Sequence, residues 1–221
     1  MRKLIFLLLT ALLFSCDPVV MFTEPQPEGK KDLASFPARY RGTYMELSDS
    51  SIYLVTAERI LEKHEEFLSD PESEILEDSE IEIIADTLII KEMNLKFPVS
   101  RRNDSVFGLV VLYDTVFDIK GESRLRKLGK TYFMNIPSDS LWMVFKLQFD
   151  KSGHAFLCGV EDEEEVKIFE QYCKVKIHAD EDGNPKKYIL APSVKELRKI
   201  LKTETFTDTT EYVRISQSTL R

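Results

Sequence analysis

Residues 141 to 149, LWMVFKLQF, alternate with a period of two: Leu141, Met143, Phe145, Leu147 and Phe149 fall on one side, Trp142, Val144, Lys146 and Gln148 on the other. That period predicts a strand with one buried face. DKSG at 150–153 then supplies turn residues before the apolar run HAFLCGV, so the two runs are expected to form a hairpin. A second hairpin is expected between CKVKIHA and KKYILA, joined by DEDGNP at 180–185. Asp followed by Ser or Thr stands before an apolar run five times: Asp49-Ser50, Asp86-Thr87, Asp104-Ser105, Asp114-Thr115 and Asp139-Ser140. These side chains bond to nearby backbone N–H groups and favour turns. The recurrence therefore predicts turn-then-strand, repeated as an antiparallel meander.

Three segments carry the helical period instead. TAERILEKHEEFLS places Ile60, Leu61, His64, Phe67 and Leu68 on one stripe, although its N-terminal part could instead continue as strand. EDEEEVKIFEQY places Val166, Phe169 and Tyr172 on one face behind an acidic first turn. PSVKELRKILKT opens on Ser193 and Glu196 at capping-box spacing, with Val194, Leu197 and Leu201 on one face and Lys195, Arg198, Lys199 and Lys202 on the other. EYVRIS reads as a last short strand. The fold class is α+β with strands dominant: an antiparallel meander sheet or partly closed barrel, with two or three helices including a C-terminal amphipathic one.

Composition agrees. The chain has 221 residues with 43% hydrophobic and 31% charged content, which are globular values, and its 14 Phe and 8 Tyr favour strands. Net charge is −8, and loss of Arg2 and Lys3 with a leader would make it −8 − 2 = −10. Such a chain is repelled by phosphate backbones, which argues against nucleic acid as a partner.

The N-terminus adds a location. Met1-Arg2-Lys3 precedes an apolar run from Leu4 to Phe14, far short of the roughly twenty residues that span a bilayer. It therefore reads as a signal peptide, residues 1–15. Its end, Leu13-Phe14-Ser15-Cys16, resembles the lipobox of bacterial lipoproteins. That resemblance implies cleavage before Cys16, diacylglycerol on its thiol and acylation of the new amine. It also implies a cell-envelope protein held to a membrane by its lipid, with several acyl chains giving firm anchorage. Asp17 complicates the sorting that the resemblance implies. In some Gram-negative bacteria an acid directly after the lipidated cysteine retains a lipoprotein in the inner membrane, and in others it does not. The periplasmic face of the outer membrane is favoured over the inner membrane.

Residues 16–35 read as the lipidated cysteine and a flexible Pro-containing tether, able at about 3 Å per residue to hold the body up to roughly 55 Å from the bilayer. Within it Val19 to Phe22 could dip into the membrane interface or dock on the body, docking being the simpler reading. A single globular α+β domain is expected over 36–221. Its opening, FPARYRGTY at 36–44, resembles the first strand of lipocalin-like barrels, although the one Trp of the chain is Trp142.

Candidate chemistry is sparse. Cys158 and Cys173 bracket a strand–helix–strand passage, and in an oxidising compartment they form either a disulfide or two reduced core thiols. His154 and Cys158 share a strand face, yet nothing around them supplies a third group or an oxyanion site. His64 and His178 read as boundary residues. DEDGN at 180–184 imitates a calcium loop, but Pro185 and Ala191 stand where Gly and Glu are needed.

Acids outnumber bases 11 to 2 from Glu58 to Glu82, whereas KGESRLRKLGK at 120–130 has five bases and one acid. The basic run, with Arg124, Arg126 and Lys127, is either a solvated face or a contact patch for anionic lipid heads or an acidic partner. Phosphate-binding, nucleophile-elbow and metal-binding motifs are missing from the sequence, so no cofactor or metal is expected. The reading is a non-catalytic, lipid-anchored envelope protein acting through an envelope protein partner. The alternative is a small lipocalin-like barrel for an apolar ligand.

Overall fold

The computed structural model describes residues 19–160 and 162–216. The chain forms β1 (Val19–Phe22), a 3₁₀ turn (Ala38–Tyr40), β2 (Gly42–Glu46), β3 (Ile52–Val55) and β4 (Arg59–Pro71). A one-turn helix α1 (Glu72–Ile75) leads to β5 (Ile81–Ile84), β6 (Thr87–Ile90), β7 (Leu95–Arg102) and β8 (Ser105–Asp118). Next come β9 (Arg124–Leu128), β10 (Thr131–Ser138), β11 (Leu141–Phe149) and β12 (His154–Gly159). Helix α2 (Glu163–Glu170), the hairpin β13 (Lys174–Ala179) and β14 (Pro185–Ala191), helix α3 (Val194–Ile200) and β15 (Asp208–Ile215) complete it.

All fifteen strands join one open sheet in the order β13-β14-β1-β11-β12-β15-β2-β3-β4-β8-β7-β6-β5, with β10 and β9 extending from β11. Pairing is antiparallel except between β1 and β14. The fold is thus β-rich α+β, as the alternation implied, but the sheet does not close into a barrel.

Both faces of β11 are covered, not one. Val144, with Trp142 packed nearby, joins Phe22, Phe169, Leu190, Leu197 and Phe206 in a core beneath α2 and α3. Leu147, flanked by Phe145 and Phe149, joins Tyr44, Phe117, Leu125, Tyr132 and Met134 inside the curl of the sheet. A strand central to a two-sided sheet buries both sets of its side chains. Across the first of these cores, buried Glu165 of α2 accepts the Phe206 and Thr207 backbone N–H groups, at 3.2 and 2.7 Å.

Local signals placed many elements well. The Asp150 carboxylate accepts the Ser152 and His154 N–H groups, and Gly153 takes φ +97°, so DKSG turns β11 into β12. Asp180 does the same for β13 and β14. Ser193 and Glu196 make both halves of the capping box.

Three expectations fail. TAERILEKHEEFLS is strand, not helix: β4 pairs with β8 from Arg59↔Asp118 to Pro71↔Ser105, and that long partner overrides local helix propensity. Asp114-Thr115 makes no turn, because it lies inside β8. The expected tether is also largely structure. β1 sits between β14 and β11, with Met21 and Phe22 buried. Downstream, Leu33 N–H donates to the Leu125 carbonyl and Phe36 N–H to the Ala57 carbonyl, so this stretch bridges β9 and the β3–β4 turn. Four apolar residues, Val19 to Phe22, complete a sheet edge that would otherwise stand unpaired.

Candidate functional site

β4 and β8 form a two-stranded ribbon longer than the sheet around it. At one end Ile60 and Phe117 belong to the core inside the curled sheet. At the other, Leu68, Val106 and Val110 pack with Ile75, Leu88, Phe97 and Val99 in a separate small core made with β5, β6 and β7. The ribbon residues between, 61–67 and 111–116, belong to neither core.

Register assigns the two faces of the ribbon. Leu68 lies opposite Gly108 and Glu66 opposite Val110, on the side of the small core. Gly108 is needed there: a Cβ on it would meet the Phe97 and Val99 side chains at 3.0 Å. The other face carries Phe67 opposite Leu109, Glu65 opposite Val111, Lys63 opposite Tyr113, and Phe107 opposite Ser69. Phe67 is 67% exposed, Leu109 48% and Tyr113 49%. The Phe67 and Phe107 rings tilt together at 6.4 Å.

On its own face this apolar stripe is edged by the Lys63–Glu65 ion pair and by Ser69. Glu66, Asp70 and the Asp114–His64 pair, at 3.2 Å, lie on the side of the small core. An exposed apolar stripe rimmed by polar groups is a mark of an interaction surface. Sequence reading passed over it because it placed Phe67 on a helix. The available signal was the length of the apolar run VFGLVVLY, which outlasts the core that β8 crosses.

The interior of the curled sheet offers little room. An apolar cavity of about 60 Å³ lies among Tyr44, Val55, Met134, Leu147 and Tyr212. Tyr53 and Tyr212 meet edge to face beside it at 5.3 Å. Burial, reinforced by Glu62 and Glu46, pushes the Tyr53 phenol up to about 12, and burial with Glu46 raises Tyr212 as well. Neither phenol supplies a base near neutral pH.

The residues singled out from sequence are scattered. Cys16 and the signal peptide lie outside the described residues. Cys158 and Cys173 touch the same core, and both are free cysteines in the structure. Cys158 Sγ accepts the Thr209 hydroxyl at 3.4 Å, and burial pushes the Cys173 thiol up to about 11. His154 turns to Glu211, with Nδ1 at 2.6 Å from the carboxylate. Among the described residues no group of three or more His, Cys, Asp or Glu side chains is placed to hold a metal.

Three of the five bases of the basic run are paired within the body: Lys120 with Glu58, and Arg124 and Arg126 with Asp32. Arg124 and Arg126 both face Asp32, at 3.6 and 2.6 Å, and Arg126 also donates to the Pro25 and Pro27 carbonyls. They pin the 25–32 segment to the body. Lys127 and Lys130 are exposed, with Lys127 Nζ 4.9 Å from the Tyr132 ring centre.

No known family model, curated protein or solved structure matches the chain.

Proposed function

We propose that the chain is a non-catalytic, lipid-anchored protein of the cell envelope, and that it acts through protein contacts made by the outer face of the β4–β8 ribbon. The stripe of Phe67, Leu109 and Tyr113, exposed together on a ribbon that neither core covers, carries this reading. The Lys63–Glu65 pair beside it leaves this face without net charge, so the partner it fits is an apolar one. The lipobox-like Leu13-Phe14-Ser15-Cys16 supports the anchor, on the periplasmic face of the outer membrane in preference to the inner one.

β1 changes the expected geometry of anchoring. Only Asp17 and Pro18 lie between Cys16 and Val19, where the first described strand begins, a span of three Cα-to-Cα steps. That span reaches about 10 Å at most, so a lipid on Cys16 keeps the body against the bilayer rather than roughly 55 Å above it.

The apolar-ligand alternative draws less support. The interior cavity of about 60 Å³ is well under the ~150 Å³ that accommodates benzene.

Two measurements test the reading. Labelled palmitate should enter the wild-type chain and not Cys16→Ser. A benzophenone amino acid in place of Phe67 should form an adduct in cells with a protein whose cross-linked peptide is predominantly apolar. The same probe in place of Ile177, exposed on β13, should not. Equal adducts from both positions, or none from position 67, would remove the ribbon from the account.

A further inference from the structure

We propose that a concave, positively charged cleft at the end of the body, where three turns meet, binds a diphosphate-type anion. The cleft has a volume of about 290 Å³, and Arg39, Lys127, Lys130 and Lys151 line it around Tyr40 and Phe149. These cations come from three distant places in the sequence. Arg39 sits on the 3₁₀ turn, Lys127 and Lys130 flank the β9–β10 turn, and Lys151 lies in the β11–β12 turn.

Ring contacts hold the three turns together. Tyr40 stacks on Phe149 at 4.0 Å with a 9° interplanar angle, and meets Tyr132 edge-on at 5.9 Å. The turns that carry the cations are therefore held together before any ligand arrives, and only the side chains remain to be ordered on binding.

Charge is what makes the cleft unusual in this protein. None of the four cations pairs with an acid among the described residues. The one acid lining the cleft, Asp150, spends its oxygens on the Ser152 and His154 N–H groups and the Ser152 hydroxyl. Four cations less one acid leave 4 − 1 = +3 at this spot, on a chain of net −8.

An adjoining cleft adds Arg214 and His154. Arg214 is already committed to the Arg39 and Arg41 carbonyls, and His154 to Glu211. A monocarboxylate would leave most of the +3 unmatched, whereas a diphosphate carries about three negative charges and many acceptor oxygens for charge-assisted hydrogen bonds. Paired phosphates come from soluble phosphate esters or from headgroups of a lipid surface.

Calorimetry of the full chain in non-ionic detergent, titrated with inorganic pyrophosphate at low salt, tests the site. Binding should weaken as salt rises. It should fall about tenfold or more in Lys130→Gln/Lys151→Gln, two exposed side chains that make no ion pair. Lys174→Gln/Lys176→Gln, with the same charge change on β13, should bind as wild type does. Absence of pyrophosphate binding, or equal weakening in both double variants, overturns the proposal.

Amine acetylation in proteoliposomes separates the sources once binding is seen. Protection of Lys130 and Lys151 by phosphatidylglycerol without added anion assigns the phosphates to lipid. Protection only when pyrophosphate joins phosphatidylcholine vesicles assigns them to a soluble ester. The calorimetry does not depend on Cys16 carrying lipid, so the site and the anchor fail separately.

Discussion

Asn135 on β10 and Gln26 in the segment after β1, 109 positions apart, are joined by two hydrogen bonds in a fully buried setting. The Asn135 carboxamide oxygen accepts the Gln26 N–H, and its Nδ2 donates to the Gln26 carbonyl at 2.9 Å. One side chain thus substitutes for a neighbouring strand. It satisfies a backbone unit that enters the core with nothing else to pair it, and it explains how a Pro-rich stretch becomes part of the body.

Asn135→Ala should therefore cost about 2–3 kcal/mol, because both Gln26 backbone groups would stay buried and unpaired. Urea unfolding reads the loss. A shift under about 0.5 kcal/mol would mean that water replaces the carboxamide and that the clamp holds nothing.

The pair also shows why part of this fold escaped the sequence. Turn and cap chemistry is local, so Asp150 with Gly153, Asp180 with Gly183, and Ser193 with Glu196 announce themselves within six residues. A strand that pairs in parallel with β14, as Val19 does with Lys187, leaves no local mark. Ile60, Leu61, His64, Phe67 and Leu68 mislead for a related reason: their spacing fits a helix, and only β8 reveals otherwise. Of the candidate surfaces, the exposed stripe needed the register of β4 on β8, and the cationic cleft needed three turns brought together by Tyr40 and Phe149. Neither can be read from a window of neighbouring residues.

Where local chemistry does decide, its contribution is measurable. Ser193→Ala should cost about 1 kcal/mol by removing the N-cap acceptor of α3. The Ser193 backbone N–H, then its hydroxyl, hold the Glu196 carboxyl below the usual carboxylate range. A lowered carboxyl pKa contributes stability that is present above its unfolded value and lost as pH falls through the folded one. Acid titration of stability should accordingly be shallower in the variant. An identical acid limb in both proteins would show that the box is not formed in solution.

Free thiols in the core predict a distinct reactivity. Burial, the largest influence on Cys173, favours its neutral form and pushes its pKa up to about 11. At pH 8 the thiolate fraction is then about one in a thousand, and the thiolate is the reactive form. Iodoacetamide labelling of native protein, read peptide by peptide, should be slow at Cys173 and rise about tenfold per pH unit until near 11, as long as the fold persists. Cys158, 4% exposed, should label only on unfolding. Non-reducing mass measurement should find both as thiols, and a Cys158–Cys173 disulfide there would contradict the structure.

The ribbon between the two cores carries the last expectation. Residues 61–67 and 111–116 join neither core, so packing cannot pass continuously from the body to the β5–β7 arm. The paired backbones of β4 and β8, with the exposed His64–Asp114 pair and the Lys63–Glu65 pair, link them. A junction with so little buried apolar contact lets one unit open without the other. Val106 is fully buried in the arm, and Val106→Ala should destabilise that unit by about 2 kcal/mol. Amide exchange in β5, β6 and β7 should accelerate about thirtyfold, while β10 and β11 keep the wild-type rate. Equal acceleration in β10 and β11 would instead make arm and body one cooperative unit. The stripe of Phe67 and Leu109 would then be a rigid extension of the sheet, not a segment whose outer end can adjust to a partner.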